Sequence, residues 1–202
     1  MLTLYHAAPS RSSVALWMLE EVGEPFEVKL LKLKNGETRQ PEFLAVNPMG
    51  KVPTLKHDDS VITECAAICC YLADAFPRAG LNVPIGDHRR GVYLKWLFFG
   101  PSCLEPAMID RALKREGANP NLLGWRDYDT VLKVVRQAIA TEPYILGDQF
   151  TAADVVIGSG LRWGMIFDLI PKRPDVVAYV SRLEQRPALK RAVERDGHFA
   201  AA

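Results

Sequence analysis

The 202-residue chain is predicted to fold as a small mixed α/β domain followed by an all-helical one. Three observations carry that reading. Up to Phe76 the apolar pattern switches between strand and helix periods, in the order βαβ, connector, ββα. Beyond Gly86 the pattern is helical, with no convincing strand. Between them, Phe76-Pro77-Arg78-Ala79-Gly80 and Val83-Pro84-Ile85-Gly86 concentrate chain breakers. Charge divides there too: residues 1–76 hold 7 basic and 10 acidic side chains, and residues 78–202 hold 18 and 14. The expected organisation is a first domain at 1–76, a linker at 77–86 and a helical domain at 87–202.

Taken in order, Leu2, Leu4 and Tyr5 begin a short strand, and Pro9-Ser10-Arg11-Ser12 is a turn rich in helix-capping residues. Val14 to Val22 reads as a buried helix stopped by Gly23. Phe26-Glu27-Val28-Lys29-Leu30 alternates with period two, as a half-buried strand does. A polar stretch, Lys32 to Arg39, and a short helical piece, Pro41 to Val46, lead to two short strands, Val52–Leu55 and Val61–Thr63. Glu64 to Ala75 is a strongly apolar helix. In the second part Asp87 to Glu116 is helical in pattern but must kink or break at Pro101 and Pro106. Trp125 to Ala140 is a further helix. The next starts at Thr151 with a capping box completed by Asp154, and Phe150 and Val155 are spaced to staple it. Pro174 to Gln185 and Pro187 to Glu194 each carry proline in the first turn.

Composition narrows the function classes. At 49% hydrophobic, 24% charged and net charge +1, the chain has no electrostatic footprint for nucleic acid or an anionic membrane. No apolar run approaches the ~20 residues that span a bilayer. Met1-Leu2-Thr3-Leu4-Tyr5 lacks the basic start of a signal peptide. Cys65, Cys69, Cys70 and Cys103 have neither a disulfide framework nor zinc-ligand spacing. A reduced, cytoplasmic protein without a metal is expected. Cys69-Cys70, mid-helix in an apolar run, reads as core, and His6 and His57 show no partner pattern.

Three segments of the first domain suit one kind of site. Ser10-Arg11-Ser12 lies where a helix begins, and unpaired N–H groups with hydroxyls beside them stabilise an anion; plain N-capping is the alternative. Asn47-Pro48-Met49-Gly50-Lys51-Val52-Pro53 is a turn feeding a strand, and Pro53 belongs at a sheet edge. A cis Val52–Pro53 bond would turn the Val52 amide and carbonyl outward toward a peptide-like ligand. Glu64 and the Cys65 N–H stand at another helix start, where an amino-acid end group could be held; a Glu that only favours the helix dipole is the bland alternative.

Together with Phe150-Thr151-Ala152-Ala153-Asp154 and Arg186-Pro187-Ala188, these segments resemble the cytosolic glutathione transferase family along the whole chain, with the look of a bacterial serine-type member. The resemblance implies a thioredoxin-like N-terminal domain, a helical C-terminal domain, glutathione as co-substrate, a homodimer, and detoxifying attack of glutathione on small electrophiles. It implies catalysis by Ser10, with Ser12 as the fallback and Tyr5 a more distant option. Val52, ahead of Pro53, would pair with the cysteinyl part of glutathione, Lys51 would meet the glycine carboxylate, and Glu64 with Cys65 would hold the γ-glutamyl end. Phe99, Cys103, Met108 and Trp163 are candidate walls of a second-substrate pocket, with core packing as the other reading. Cys65 stands where the family usually has serine, so a good hydroxyl donor is lost. The loop holding Arg11 has no cysteine, which disfavours a protein-thiol mechanism. A glutathione-dependent disulfide reductase or peroxidase, and a non-catalytic binding protein, are the alternatives on the same fold.

Overall fold

The computed structural model describes residues 1–115 and 119–201. Four strands, β1 (Leu2–His6), β2 (Phe26–Leu30), β3 (Thr54–His57) and β4 (Ser60–Thr63), form one mixed sheet in the order β2-β1-β3-β4. β1 runs parallel to β2 and antiparallel to β3, and β3 is antiparallel to β4. Helices α1 (Ser12–Val22), α2 (Pro41–Leu44) and α3 (Cys65–Ala75) complete a thioredoxin-like domain. Its core joins Leu4 and Leu55 of the sheet to Leu16 and Leu19 of α1 and Ile68 and Leu72 of α3, all fully buried. Gly23 ends α1 in the left-handed region and returns its N–H to Leu19 O, as expected of a C-terminal glycine. The polar stretch before α2 contains two 3₁₀ turns, Leu33–Asn35 and Glu37–Arg39.

Gly80–Gln185 form a second compact unit with no strand among the described residues. It holds α4 (Arg90–Phe99), α5 (Glu105–Ala112), α6 (Tyr128–Ile139), α7 (Ala152–Ile166) and α8 (Pro174–Glu184). The break required by the prolines is a single π-helical turn, Gly100–Leu104, that contains Pro101; Pro106 falls in the first turn of α5, where its missing N–H does no harm. The far end of the stretch expected to be helical, at Glu116, lies outside the described residues. α7 begins with the full capping box of Thr151 and Asp154, between a buried Phe150 and a buried Val155. Gly100 lets α4 and α7 approach closely, since a Cβ there would stand 2.5 Å from Val156 Cγ1.

One boundary differs from expectation. The final helix, α9 (Pro187–Ala201), groups with the first unit, Met1–Ala79, and not with residues 87–185. Ion pairs and an apolar face both hold it there. α1 carries Glu20 and Glu21, whose side chains are only 9% and 6% exposed, and α9 with its preceding residue supplies the cations. Arg186 grips Glu21 through Nε and Nη2 at 2.6 and 2.7 Å. Arg191 and Arg195 reach Glu20 at 2.7 and 2.6 Å. Ala188, Leu189 and Ala192 supply the buried apolar face of α9.

Candidate functional site

The register of the sheet brings the three segments to one end of the first unit. Tyr5, near the C-terminal end of β1, pairs with Thr54 at the start of β3, and Thr54 pairs with Thr63 at the end of β4. The loop after β1, the turn before β3 and the first residue of α3 therefore share that end. A thiol contact joins two of them: Cys65 Sγ donates to Arg11 O at 3.6 Å. Cys65 thus performs, with a weaker donor, a tie that a serine hydroxyl could make.

The Ser10–Ser12 loop is ordered by its own hydroxyls. Ser10 Oγ accepts from Ser12 N at 3.1 Å, so it does cap a first-turn amide of α1. It also lies 2.7 Å from Ser12 Oγ. Ser12 is fully buried; its Oγ accepts from Ala7 N at 3.1 Å, donates to Ala7 O at 3.1 Å and lies 2.8 Å from His6 Nδ1. Ser10 is only half-buried. Of the two serines, Ser10 presents its hydroxyl near the surface and Ser12 holds the loop from beneath.

The turn before β3 is braced from within. Asn47, 4% exposed, donates through Nδ2 to Lys51 O at 2.9 Å and Thr54 Oγ1 at 3.0 Å, and accepts from Met49 N at 3.0 Å. Gly50 has φ +60, and a Cβ there would lie 2.7 Å from Thr38 O, so only glycine fits. The Val52–Pro53 bond is cis, with Pro53 buried and Val52 half-buried. Val52 N–H and C=O make no hydrogen bond among the described residues, which leaves an amide pair open for an extended ligand. Lys51 is exposed. Glu64 precedes α3 with φ 67, in the left-handed region where a glutamate is strained. Its exposed carboxylate has no hydrogen bond among the described residues and stands beside the N-terminal amides of α3.

Comparison with known proteins agrees with this fold. Residues 1–74 match the family model for the glutathione S-transferase N-terminal domain, and residues 125–187 match that for the C-terminal domain. Glutathione S-transferase GstA of Escherichia coli O157:H7 is 31% identical over 188 residues, covering 89% of this chain and 90% of that one. The chain belongs to the glutathione S-transferase family. Among solved structures, the glutathione transferase of Methylococcus capsulatus strain Bath superposes with a TM-score of 0.82 at 29% identity, over 98% of this chain and all of that one (100%). BphK, a bacterial glutathione S-transferase solved as a ternary complex, gives 0.82 at 28% identity, over 96% and 99%.

In this glutathione S-transferase the remaining candidates fall differently. Tyr5 packs its ring on Phe43 at 5.5 Å with Lys29 Nζ 5.4 Å above it, which is a packing role. In the helical unit Phe99, Cys103 and Trp163 are half-buried, whereas Met108 is 8% exposed. Met108 belongs to the core, its sulfur against Gly164, where a Cβ would come within 3.0 Å. Cys69 is fully buried as expected, while its neighbour Cys70 is half-buried. His57, which shows no partner pattern in the sequence, lies 2.8 Å from Tyr71 Oη through Nδ1. Sequence reasoning also missed Asn47, His6 and Asp196. An asparagine directly before proline in a turn is the one signal that pointed at Asn47.

Proposed function

We propose that this chain binds glutathione across the Val52 amide pair and activates its thiol through Ser10, so that the thiolate attacks a small electrophile. The observation that carries this reading is the half-buried Ser10 hydroxyl at the start of α1, on the same end of the sheet as an unpaired Val52 backbone. Lys51 would meet the glycine carboxylate, and Glu64 with the Cys65 N–H would take the γ-glutamyl end. A free thiol has a pKa of about 8.5, so only a few per cent is ionised at neutral pH. Lowering it by about two units requires roughly 2.7 kcal/mol of preference for the anion. A hydroxyl donated to a charged acceptor supplies about 1.5–3 kcal/mol, and the end of α1 adds up to about 1. One serine at a helix start is sufficient.

Ser10→Ala is expected to lower kcat for conjugation of an aryl halide by about tenfold or more and to move the rise in rate to higher pH. Stopped assays across pH 5–9 (roughly the range that brackets a thiol near 7) read both. Unchanged kinetics in this variant would sink the serine mechanism. Running an organic hydroperoxide and a mixed glutathione disulfide beside the aryl halide separates conjugation from reductase or peroxidase turnover.

We also infer a cytoplasmic, detoxifying homodimer. Family membership supports this reading, and Val92 and Phe98 on α4, 46% and 55% exposed, support the dimer alone. Light scattering should give about twice the chain mass of 22.5 kDa, and a single-chain mass at micromolar protein would contradict the dimer.

A further inference from the structure

In the second unit a cleft of about 690 Å³ is lined by α5, the segment 119–127 and the start of α6, a volume in the range of small-molecule sites. Two aromatic side chains wall it, and both are held in place. Trp125 donates Nε1 to Asp110 Oδ2 at 3.1 Å, and Tyr128 donates its hydroxyl to Leu169 O at 2.6 Å. The Arg111 guanidinium lies over the Tyr128 ring at 4.5 Å. Four cations and three carboxylates line the cleft, and two of the carboxylates are already engaged. Asp110 also faces Arg115 at 3.6 Å. Asp127 caps α6, accepting from Thr130 N and Thr130 Oγ1, each at 2.8 Å, and faces Arg126 at 3.4 Å. Arg111 and Lys114 have no carboxylate in ion-pair range among the described residues, and the exposed Asp129 is the one lining carboxylate left to oppose them. Lys114 (φ 51) and Arg126 (φ 63) hold left-handed backbone, a costly state for a non-glycine residue that gathers at ligand sites.

We propose that this cleft binds an aromatic organic anion, its ring against Trp125 and Tyr128 and its acidic group on Arg111 and Lys114. The lining belongs wholly to the second unit, whereas the segments assigned to glutathione belong to the first, so the site stands apart from that reading. The ligand class follows from what each wall offers. Trp125, Tyr128 and Leu123 present apolar surface that a flat ring covers. A guanidinium stacked on one ring keeps its N–H edge for a carboxylate or sulfonate. An organic cation would be repelled by Arg111 and Lys114, because Asp110 and Asp127 are already committed to Trp125, Arg115 and the first turn of α6. A neutral ring would gain nothing from the two cations, and an inorganic anion would leave the aromatic walls in water. A ligand carrying both an aromatic ring and a negative charge uses both halves.

Titration of the full chain with 1-naphthalenesulfonate, followed by tryptophan fluorescence and by calorimetry, tests the site. Saturable binding with a Kd below about 1 mM is expected, with quenching of Trp125. In Trp125→Phe the quench should disappear while the calorimetric Kd stays within about threefold, because phenylalanine keeps a ring for the ligand to stack on. Arg111→Gln should weaken binding about five- to tenfold, and Lys114→Gln by less, as expected of exposed cations that meet the acidic group. The uncharged 1-naphthalenemethanol should bind at least about tenfold more weakly than the sulfonate. Sulfate at equal concentration should not displace the sulfonate. A Kd that Arg111→Gln leaves unchanged puts the ligand elsewhere and overturns the assignment, as does a quench that survives in Trp125→Phe. Equal affinity for the alcohol, or displacement by sulfate, overturns the ligand class. An absence of saturable binding overturns the site itself. Each of these results leaves the reading of Ser10 as it stands.

Discussion

Arg186→Ala is expected to destabilise the protein by about 3–5 kcal/mol, read as a lower urea midpoint. The Glu21 side chain is 6% exposed, and its oxygens are met by Arg186 Nε at 2.6 Å, Arg186 Nη2 at 2.7 Å and Trp17 Nε1 at 2.8 Å. Arg186 is itself 26% exposed, so the pair is largely out of water. Truncation takes away both guanidinium bonds and leaves a buried carboxylate facing an indole N–H. The pair's net worth is a different quantity from the cost of halving it, because desolvating two ions offsets most of their attraction. Replacing both partners by methionine should therefore recover most of the loss. A loss below about 1 kcal/mol in Arg186→Ala would mean that water reaches Glu21 and that the pair behaves as a surface bridge. The prediction concerns the end of α9 nearest Arg186; Arg191 and Arg195, further along the helix, still hold Glu20.

The parts of this fold that were legible in the sequence are those decided by neighbours along the chain. Phe26–Leu30 was readable because side chains alternate within five residues, and the strand has those bounds. Gly23 and the Thr151–Asp154 box were readable because caps act across one turn. The candidate site was half legible for the same reason. Val52-Pro53 and the start of α3 present backbone groups whose exposure follows from local turns. What stayed hidden depends on partners brought together only by tertiary packing. β3 begins at Thr54, two residues later than the apolar run suggested, where Asn47, earlier in the chain, reaches Lys51 O and Thr54 Oγ1. His6 looks solitary until α9 folds back to set Asp196 beside it. The fate of α9 was itself illegible: its amphipathic pattern fits any helical bundle, and its ionic partners, Glu20 and Glu21, are acidic residues that a sequence reading assigns to solvent.

Asp154→Ala is expected to cost about 4–5 kcal/mol, at the upper end for a single substitution. Asp154 is fully buried at the start of α7. Its Oδ2 accepts from Thr151 N at 2.9 Å and Thr151 Oγ1 at 3.1 Å, and its Oδ1 from Ile145 N at 2.9 Å and Tyr179 Oη at 2.8 Å. One side chain therefore caps α7, fixes the loop at Ile145 and anchors α8 through Tyr179. Burial pushes the Asp154 carboxyl pKa up, and these donors pull it back. Burial, reinforced by the Asp154 carboxylate, holds the Tyr179 hydroxyl well above its usual range, so it remains a donor. Alanine would leave two buried N–H groups and the Tyr179 hydroxyl without their acceptor, at about 1–3 kcal/mol each before relaxation. Asp154→Asn keeps the shape but turns one acceptor into a donor, and about 2–3 kcal/mol should go. Tyr179→Phe removes one donor while the other three still satisfy the carboxylate, at about 1 kcal/mol. Urea midpoints of the three variants should fall in the order Tyr179→Phe, Asp154→Asn, Asp154→Ala, from highest to lowest. If Asp154→Asn matched the unsubstituted protein, the carboxylate would not be the shared acceptor, and the cap of α7 would rest on Thr151 alone.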